Sequence, residues 1–229
     1  MKPRFILGIV AVITGITVLA VVGARWFLVA KKSAAQAGIL QAKFDQLQGY
    51  QGDPVIQVFR DNGQAAVAFL ARQMESKDDS QRVKAVGALR QMGPAFTGTA
   101  AGLAALCTAL NQSDKACSIA EGALGDLGPE AKVAVPALIK CVSAGPDING
   151  VWALGRIGLE ARAALPILES KMTQATGRER VYAAGAVWSI SGGNPEAGAV
   201  VKKALADPDK LVQNDARNVL VENPEISSR

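Results

Sequence analysis

The chain contains no histidine. That absence removes histidine-based zinc sites, histidine-dependent triads and imidazole acid–base catalysis together. Aromatic residues make up only 5% of the 229 positions, and there are three cysteines, Cys107, Cys117 and Cys141. Three spread-out thiols are too few for a disulfide framework or a four-cysteine metal centre; on helices and partly buried, they read as small apolar residues. The sequence also lacks a Walker loop, a GxSxG elbow and any spaced metal-ligand motif. Glycine and proline are scattered without a collagen-like period. What remains is a chain that is 49% apolar, too hydrophobic for wholesale disorder and long enough for one or two domains.

The net charge of +5 raises nucleic acid as a partner, but its distribution argues against it. Of 25 basic residues, Lys2, Arg4, Arg25, Lys31 and Lys32 lie in the first 32 positions, where no acid occurs, which leaves 20 basic against 20 acidic residues beyond. Binding by counterion release needs a concentrated basic face, and no Lys/Arg run longer than two follows residue 32. The body is neutral.

Residues 1–32 read as a membrane segment. Phe5 to Ala24 is a run of 20 residues without a charge, about 30 Å as a helix and so long enough to cross a bilayer core. Phe5, Leu7, Val12, Leu19 and Trp26 belong to the anchor in this reading, with Trp26 at the interface beside Arg25. The alternative is a cleaved signal peptide ending at Val22-Gly23-Ala24. The length of the run, and the second apolar stretch from Trp26 to Ala30, favour an uncleaved signal-anchor. Two basic residues precede the span and three follow, so charge barely sets the orientation. The short basic head followed by one long apolar run resembles a bacterial inner-membrane signal-anchor, which would place the body outside the cytoplasm.

Beyond the span, residues 33–63 read as a helical neck and linker, broken at Gly49, Gly52 and Pro54. From residue 64 the chain repeats itself. Ala85-Val-Gly-Ala-Leu89-Arg-Gln-Met-Gly93 returns as Ala120-Glu-Gly-Ala-Leu124-Gly-Asp-Leu-Gly128, as Gly150-Val-Trp-Ala-Leu154-Gly-Arg-Ile-Gly158 and as Ala183-Ala-Gly-Ala-Val187-Trp-Ser-Ile-Ser191. A partial copy covers Ala216 to Leu220. Small or apolar residues at the first, fourth, fifth and eighth places share one helical face. The closing glycines predict helix ends in the left-handed conformation. A second helix follows: Pro129-Glu-Ala131 to Pro136-Ala-Leu138 matches Leu159-Glu-Ala161 to Pro166-Ile-Leu168, and Pro195-Glu-Ala197 begins a third copy. Pro136 and Pro166 should bend or restart their helices after one short turn. No period-two strand pattern competes.

These strings resemble HEAT repeats of the short, phycobilisome-lyase-like variety, in which an AxxALxxLG helix leads into a PEAxxAVPxL helix. The resemblance covers residues 64–222. It implies an all-α fold, a right-handed α-solenoid of about five short helical hairpins, here preceded by a single transmembrane helix. It also implies an interaction scaffold, since each hairpin buries its apolar face only by stacking on the next. Some relatives help attach bilin chromophores to phycobiliproteins, but this chain differs in its anchor and its lack of histidine.

Five residues are candidates for partner binding. Trp152 stands where other units have Gly87, Gly122 and Gly185, and Trp188 where they have Arg90 and Gly125. Two rings in an aromatic-poor chain can anchor a partner, although filling space between helices is the plainer reading. Lys132 and Arg162 hold equivalent places in consecutive units, with Arg156 close in sequence. They offer a basic row to an acidic partner or lipid headgroups, while Glu130 and Glu160 make an ordinary solvated face the plainer alternative. Asp78-Asp79 and Asp207/Asp209 read as helix caps, not as a metal site. Gly150, Gly155 and Gly158 follow no strand and are explained by the repeat. Asn111-Gln-Ser113 fits a glycosylation sequon whose meaning depends on compartment.

The sequence therefore leads to a membrane-anchored, non-enzymatic scaffold for another protein in the same membrane, without cofactor, metal or small-molecule substrate. Two alternatives stay open: a bilin-lyase-like, chromophore-handling enzyme, and a transient assembly factor for a membrane complex.

Overall fold

The computed structural model describes residues 31–48, 52–112 and 114–228. The expected membrane segment, with Phe5, Leu7, Val12, Leu19 and Trp26, lies outside the described residues. Among those residues no helix is long and apolar enough to cross a membrane. There is likewise no strand among them. The chain divides into two compact units, Met1–Leu47 and Gln48–Arg229. In the first, residues 31–46 form helix α1. Its surface is stitched by side chains one turn apart: Gln41 Nε2 donates to Asp45 at 2.9 Å and Lys43 Nζ to Gln46 at 3.0 Å.

The second unit is a succession of helical hairpins. Helix α2 (Val55–Gln73) is followed by α3 (Asp79–Met92), the short α4 (Pro94–Thr97) and α5 (Ala100–Ala109). Then come α6 (Asp114–Leu127), α7 (Val135–Ala144), α8 (Ile148–Ile157) and α9 (Leu165–Gln174). The unit closes with α10 (Gly177–Ser191), α11 (Pro195–Ala204), α12 (Lys210–Glu222) and α13 (Glu225–Ser228). The repeated strings map onto α3, α6, α8, α10 and α12, the first helices of successive hairpins. Helices α5, α7, α9 and α11 are the second helices.

Two 3-10 segments, Gly128–Ala134 and Gly158–Ala164, lie between first and second helices of consecutive hairpins. Each gives way to an α-helix at the residue before its proline, so Pro136 and Pro166 sit in a first turn, where a missing N–H costs nothing. The residues Glu130, Lys132, Glu160 and Arg162 therefore ride on 3-10 turns rather than on the second helices. Helix α2 hides a further break of the same kind. Gly63, at φ 51° and ψ −127°, splits it into two shorter helices, and it precedes Gly93 by the same 30 residues that separate Gly128 from Gly158.

The stop glycines Gly93, Gly128 and Gly158 do have positive φ, but Gly93 and Gly158 do not adopt the expected left-handed helical conformation. Gly93 lies at φ 96°, ψ 176° and Gly158 at φ 68°, ψ −137°, a mirror-image extended region open only to glycine. The reason is the abrupt change of direction into a following turn. Gly192, after α10, does adopt φ 78°, ψ 27°. Carboxylates and amides start several helices, at Asp78 and Asp209 as the sequence indicates and at Asp147 and Asn194 besides. Asp78, Asp147 and Asp209 accept from Ser80, Gly150 and Leu211 N–H at 2.9, 2.9 and 2.8 Å. Asn194 does the same for Ala197 at 3.0 Å. Of the remaining acids, Asp79 pairs with Arg82 at 2.8 Å and Asp207 accepts from the Asp209 N–H.

The core runs along the hairpins. Leu89, Leu124, Leu154 and Val187, all at the fifth place of the string, are fully buried. Leu220 at the same place is only half-buried, because only the four-residue α13 follows it. The first helices approach one another closely through glycine. A Cβ on Gly122 would lie 2.5 Å from Arg90 Nη1, one on Gly125 2.2 Å from the Trp152 ring, and one on Gly185 2.7 Å from Val219. Small residues in one helix thus receive large ones from the next, and the hairpins stack into a single apolar core.

Candidate functional site

The glycines that admit neighbouring helices also carve a groove along the first helices. At one end it is a cleft of about 880 Å³ lined by Arg60 from α2, Arg90 and Gln91 from α3, and Ile119 and Asp126 from α6. Beyond Arg90 and Ile119 it continues past Lys115 and Asn149 to Trp152 on α8. Its walls are built by charged side chains held in place. Arg60 donates to the carbonyls of Gln91 and Met92 at 2.6 and 3.2 Å, capping the end of α3. Arg90 lies over Gly122 and meets Asp126 at 2.9 Å.

Trp152 is the one aromatic ring among the described residues that lines this groove. One face of it rests on Gly125, the Arg156 guanidinium lies 5.9 Å from its centroid, and its Nε1 donates to Glu222 at 3.1 Å. Glu222 ends α12, two first helices further along, so the contact reaches across α10. The ring is half-buried and ordered on three sides.

The other candidates fall elsewhere. Trp188 is 6% exposed, its ring so close to α11 that a Cβ on Gly198 would lie 2.8 Å away. It fills space between the two helices of its hairpin. Lys132 and Arg162 are exposed on the two 3-10 segments, which neighbour each other. Exposed Val133 and Leu159 flank them. The structure thus joins Trp152 to Arg156, seats Trp188 in the core, and places Lys132 and Arg162 on a separate row.

Three features escape a linear reading of the chain. Arg60 and Arg90 line the groove, and Glu222 holds its tryptophan. Asp215, 4% exposed on α12, anchors Arg178 at 2.5 Å and the Tyr182 hydroxyl at 3.1 Å. Its carboxylate raises the Arg178 pKa, and burial followed by that same charge raises the Tyr182 pKa. Finally, two cysteines expected to stand apart come together: Cys117 of α6 and Cys141 of α7 meet the buried Glu121 carboxyl, with their ligating atoms within 4.8 Å of one another. Burial, then the neighbouring Asp147 carboxylate, pushes Glu121 up to about 8. Burial raises both thiols as well. Cys107 stays outside this group.

No protein-family model matches the chain, and no curated protein does. A solved structure does: the complex of CpcE and CpcF of phycocyanin lyase from Nostoc sp. PCC7120, at a TM-score of 0.59. The likeness is one of fold. Identity is 23%, over 79% of this chain and 75% of that one. The HEAT-like helical-repeat architecture inferred from the repeated strings is therefore shared with the CpcE–CpcF complex.

Proposed function

We propose that this protein is a membrane-tethered helical-repeat scaffold that binds another protein along the groove formed by its first helices. The observation that carries this reading is Trp152: a half-exposed ring, fixed by Gly125, Arg156 and Glu222 in a groove with Arg60 and Arg90. A pre-ordered aromatic beside arginines costs little entropy to dock against, and such residues dominate binding energy at interfaces. The likeness to a complex of two repeat proteins, CpcE with CpcF, supports a protein partner. In this reading the apolar run of residues 5–24 spans the membrane, the body lies outside the cytoplasm, and tethering raises the effective concentration of partners in the same bilayer.

Purification of the full chain in mild detergent, followed by mass spectrometry, tests the proposal. A protein should co-purify in fixed ratio with the wild type and be lost from Trp152→Ala. Equal recovery with the variant would refute the groove. A partner seen only during maturation of a membrane complex would indicate an assembly factor. Protease accessibility in intact cells and in spheroplasts tests the orientation, and protection in both would overturn it.

A second reading, handling of a bilin chromophore, is favoured by the fold likeness to a phycocyanin lyase. It predicts visible absorbance after incubation with a bilin, diminished by substitution of Arg90 or Trp152. A colourless protein with a stable partner would leave the scaffold alone.

A further inference from the structure

Glu121 occupies a place where the repeat puts an apolar core residue. The second position of the first-helix string is Val86, Val151 and Ala184 in the three other full copies, each fully buried, and Glu121 is as deep at 2% exposed. A carboxyl in such a place is costly unless its charge is met. Among the described residues no lysine or arginine forms an ion pair with it. Its neighbours are acids instead. The Cys117 thiol, one turn earlier in α6, donates to Glu121 Oε1 at 3.3 Å. Cys141 approaches from α7, its thiol donating to the Leu110 carbonyl at 3.6 Å, and the Asp147 carboxyl is a further acidic neighbour of Glu121.

The next hairpin settles the corresponding place differently. Thirty residues after Cys141 stands Lys171, which donates to the Gly145 carbonyl at 2.8 Å, as Cys141 does to that of Leu110. Its ammonium then pairs with Glu179 at 2.6 Å. One hairpin carries its own cation; the other surrounds a buried carboxyl with two thiols.

We propose that Cys117, Cys141 and Glu121 form a binding site for a thiophilic divalent cation, zinc by its ligand chemistry. Two sulfurs and one carboxylate oxygen are the borderline-soft donor set that zinc takes. Bond lengths of about 2.3 Å to sulfur and about 2.0 Å to oxygen put tetrahedral ligands roughly 3.5–4 Å apart, and the three donor atoms here already lie within 4.8 Å. The cation replaces the protons held by both thiols and by Glu121, releasing them to solvent, and leaves the site with one net negative charge. With Glu121 ionised no proton remains between it and Asp147, and the charge of the bound cation offsets the repulsion between the two carboxylates. Water completes the tetrahedron on the side where the thiols are half-exposed. The ion would clasp α6 to α7, the two helices of one hairpin.

The test uses the full chain in mild detergent, reduced, freed of metal with a chelator and titrated with cobalt(II) and then zinc. One equivalent of cobalt should produce thiolate-to-cobalt charge-transfer absorption, which zinc then abolishes. Cys117→Ser and Cys141→Ser should each remove that absorption, Glu121→Gln should weaken binding by roughly tenfold or more, and Cys107→Ser should behave as wild type. If a cysteine variant fails to give the helical circular dichroism of the wild type, alkylation of the wild type decides instead. Zinc should protect Cys117 and Cys141 and leave Cys107 reactive. No charge-transfer absorption at one equivalent, its persistence in the Cys117→Ser/Cys141→Ser double variant, its loss in Cys107→Ser, or equal alkylation with and without zinc would each overturn the proposal.

Discussion

A methyl group added at Gly125 should disable the groove while barely changing stability. The new Cβ would lie 2.2 Å from Trp152 Cζ3 and 2.7 Å from Cε3, so the ring must move by more than an ångström. Because Trp152 is half-exposed, it can swing outward rather than force the helices apart. That motion gives up the Nε1 hydrogen bond to Glu222, worth about 0.5–1.5 kcal/mol. It also gives up the Arg156 contact, about 0.5–1 kcal/mol at an exposed site. Against this, alanine is better than glycine inside α6 by about 1 kcal/mol. The net loss is about 0–1.5 kcal/mol, a fall in melting temperature of up to about 6 °C for a chain of this size. With 5-fluorotryptophan in the three tryptophan positions, the Trp152 fluorine resonance, assigned through Trp152→Phe, should shift in Gly125→Ala. Co-purification of the partner should fall as in Trp152→Ala. The double variant Gly125→Ala/Trp152→Ala should be more stable than Trp152→Ala by about 1 kcal/mol, because the helix gain survives without the clash. An unmoved Trp152 resonance in Gly125→Ala, or a double variant less stable than the single, would refute the contact.

Three further outcomes follow from the packing and caps. Trp188→Ala should cost about 3–5 kcal/mol by thermal unfolding, since its buried ring fills the space over Gly198 and leaves a cavity; a loss below about 1 kcal/mol would show that the ring is dispensable to the core. Asp209→Ala should cost about 1 kcal/mol by removing the cap of α12, and Asp209→Asn should restore most of it. Asp215→Asn should destabilise by about 1–2 kcal/mol: it loses a carboxylate shared by Arg178 and Tyr182, and the exposed half of Arg178 limits the cost. Amide hydrogen exchange should register that change in α10 and α12 before the other helices.

The repeat was legible because stacking needs the same small and apolar residues in every hairpin. Ala85, Ala120 and Ala183 mark the close helix contacts, and Leu89, Leu124 and Leu154 mark the core, whatever lies on the surface. The prolines restarted α7 and α9 where the pattern placed them. The 3-10 geometry of Gly128–Ala134 and Gly158–Ala164 was less visible, since composition hardly separates a 3-10 turn from the first turn of an α-helix. Gly63 was missed because its flanking helices lack the alanine string, although its 30-residue distance to Gly93 was there to read. Of the groove, Trp152 stood out as a large residue in a glycine position. Glu222 did not, because its contact crosses 70 residues and no local spacing encodes it. The thiol–carboxylate cluster left two traces: a glutamate where Val86, Val151 and Ala184 stand in other hairpins, and Cys117 one helical turn before it. Cys141 joins them only through the packing of α7 on the same hairpin.

The most direct test of the scaffold reading is site-specific photo-crosslinking in the native membrane, with the probe at Arg156 beside Trp152 or at exposed Lys202 on the second helix α11. The account predicts one discrete protein adduct from position 156, abolished by Gly125→Ala, and none from position 202. Adducts from position 202 alone, or from both positions without regard to Gly125→Ala, would contradict it.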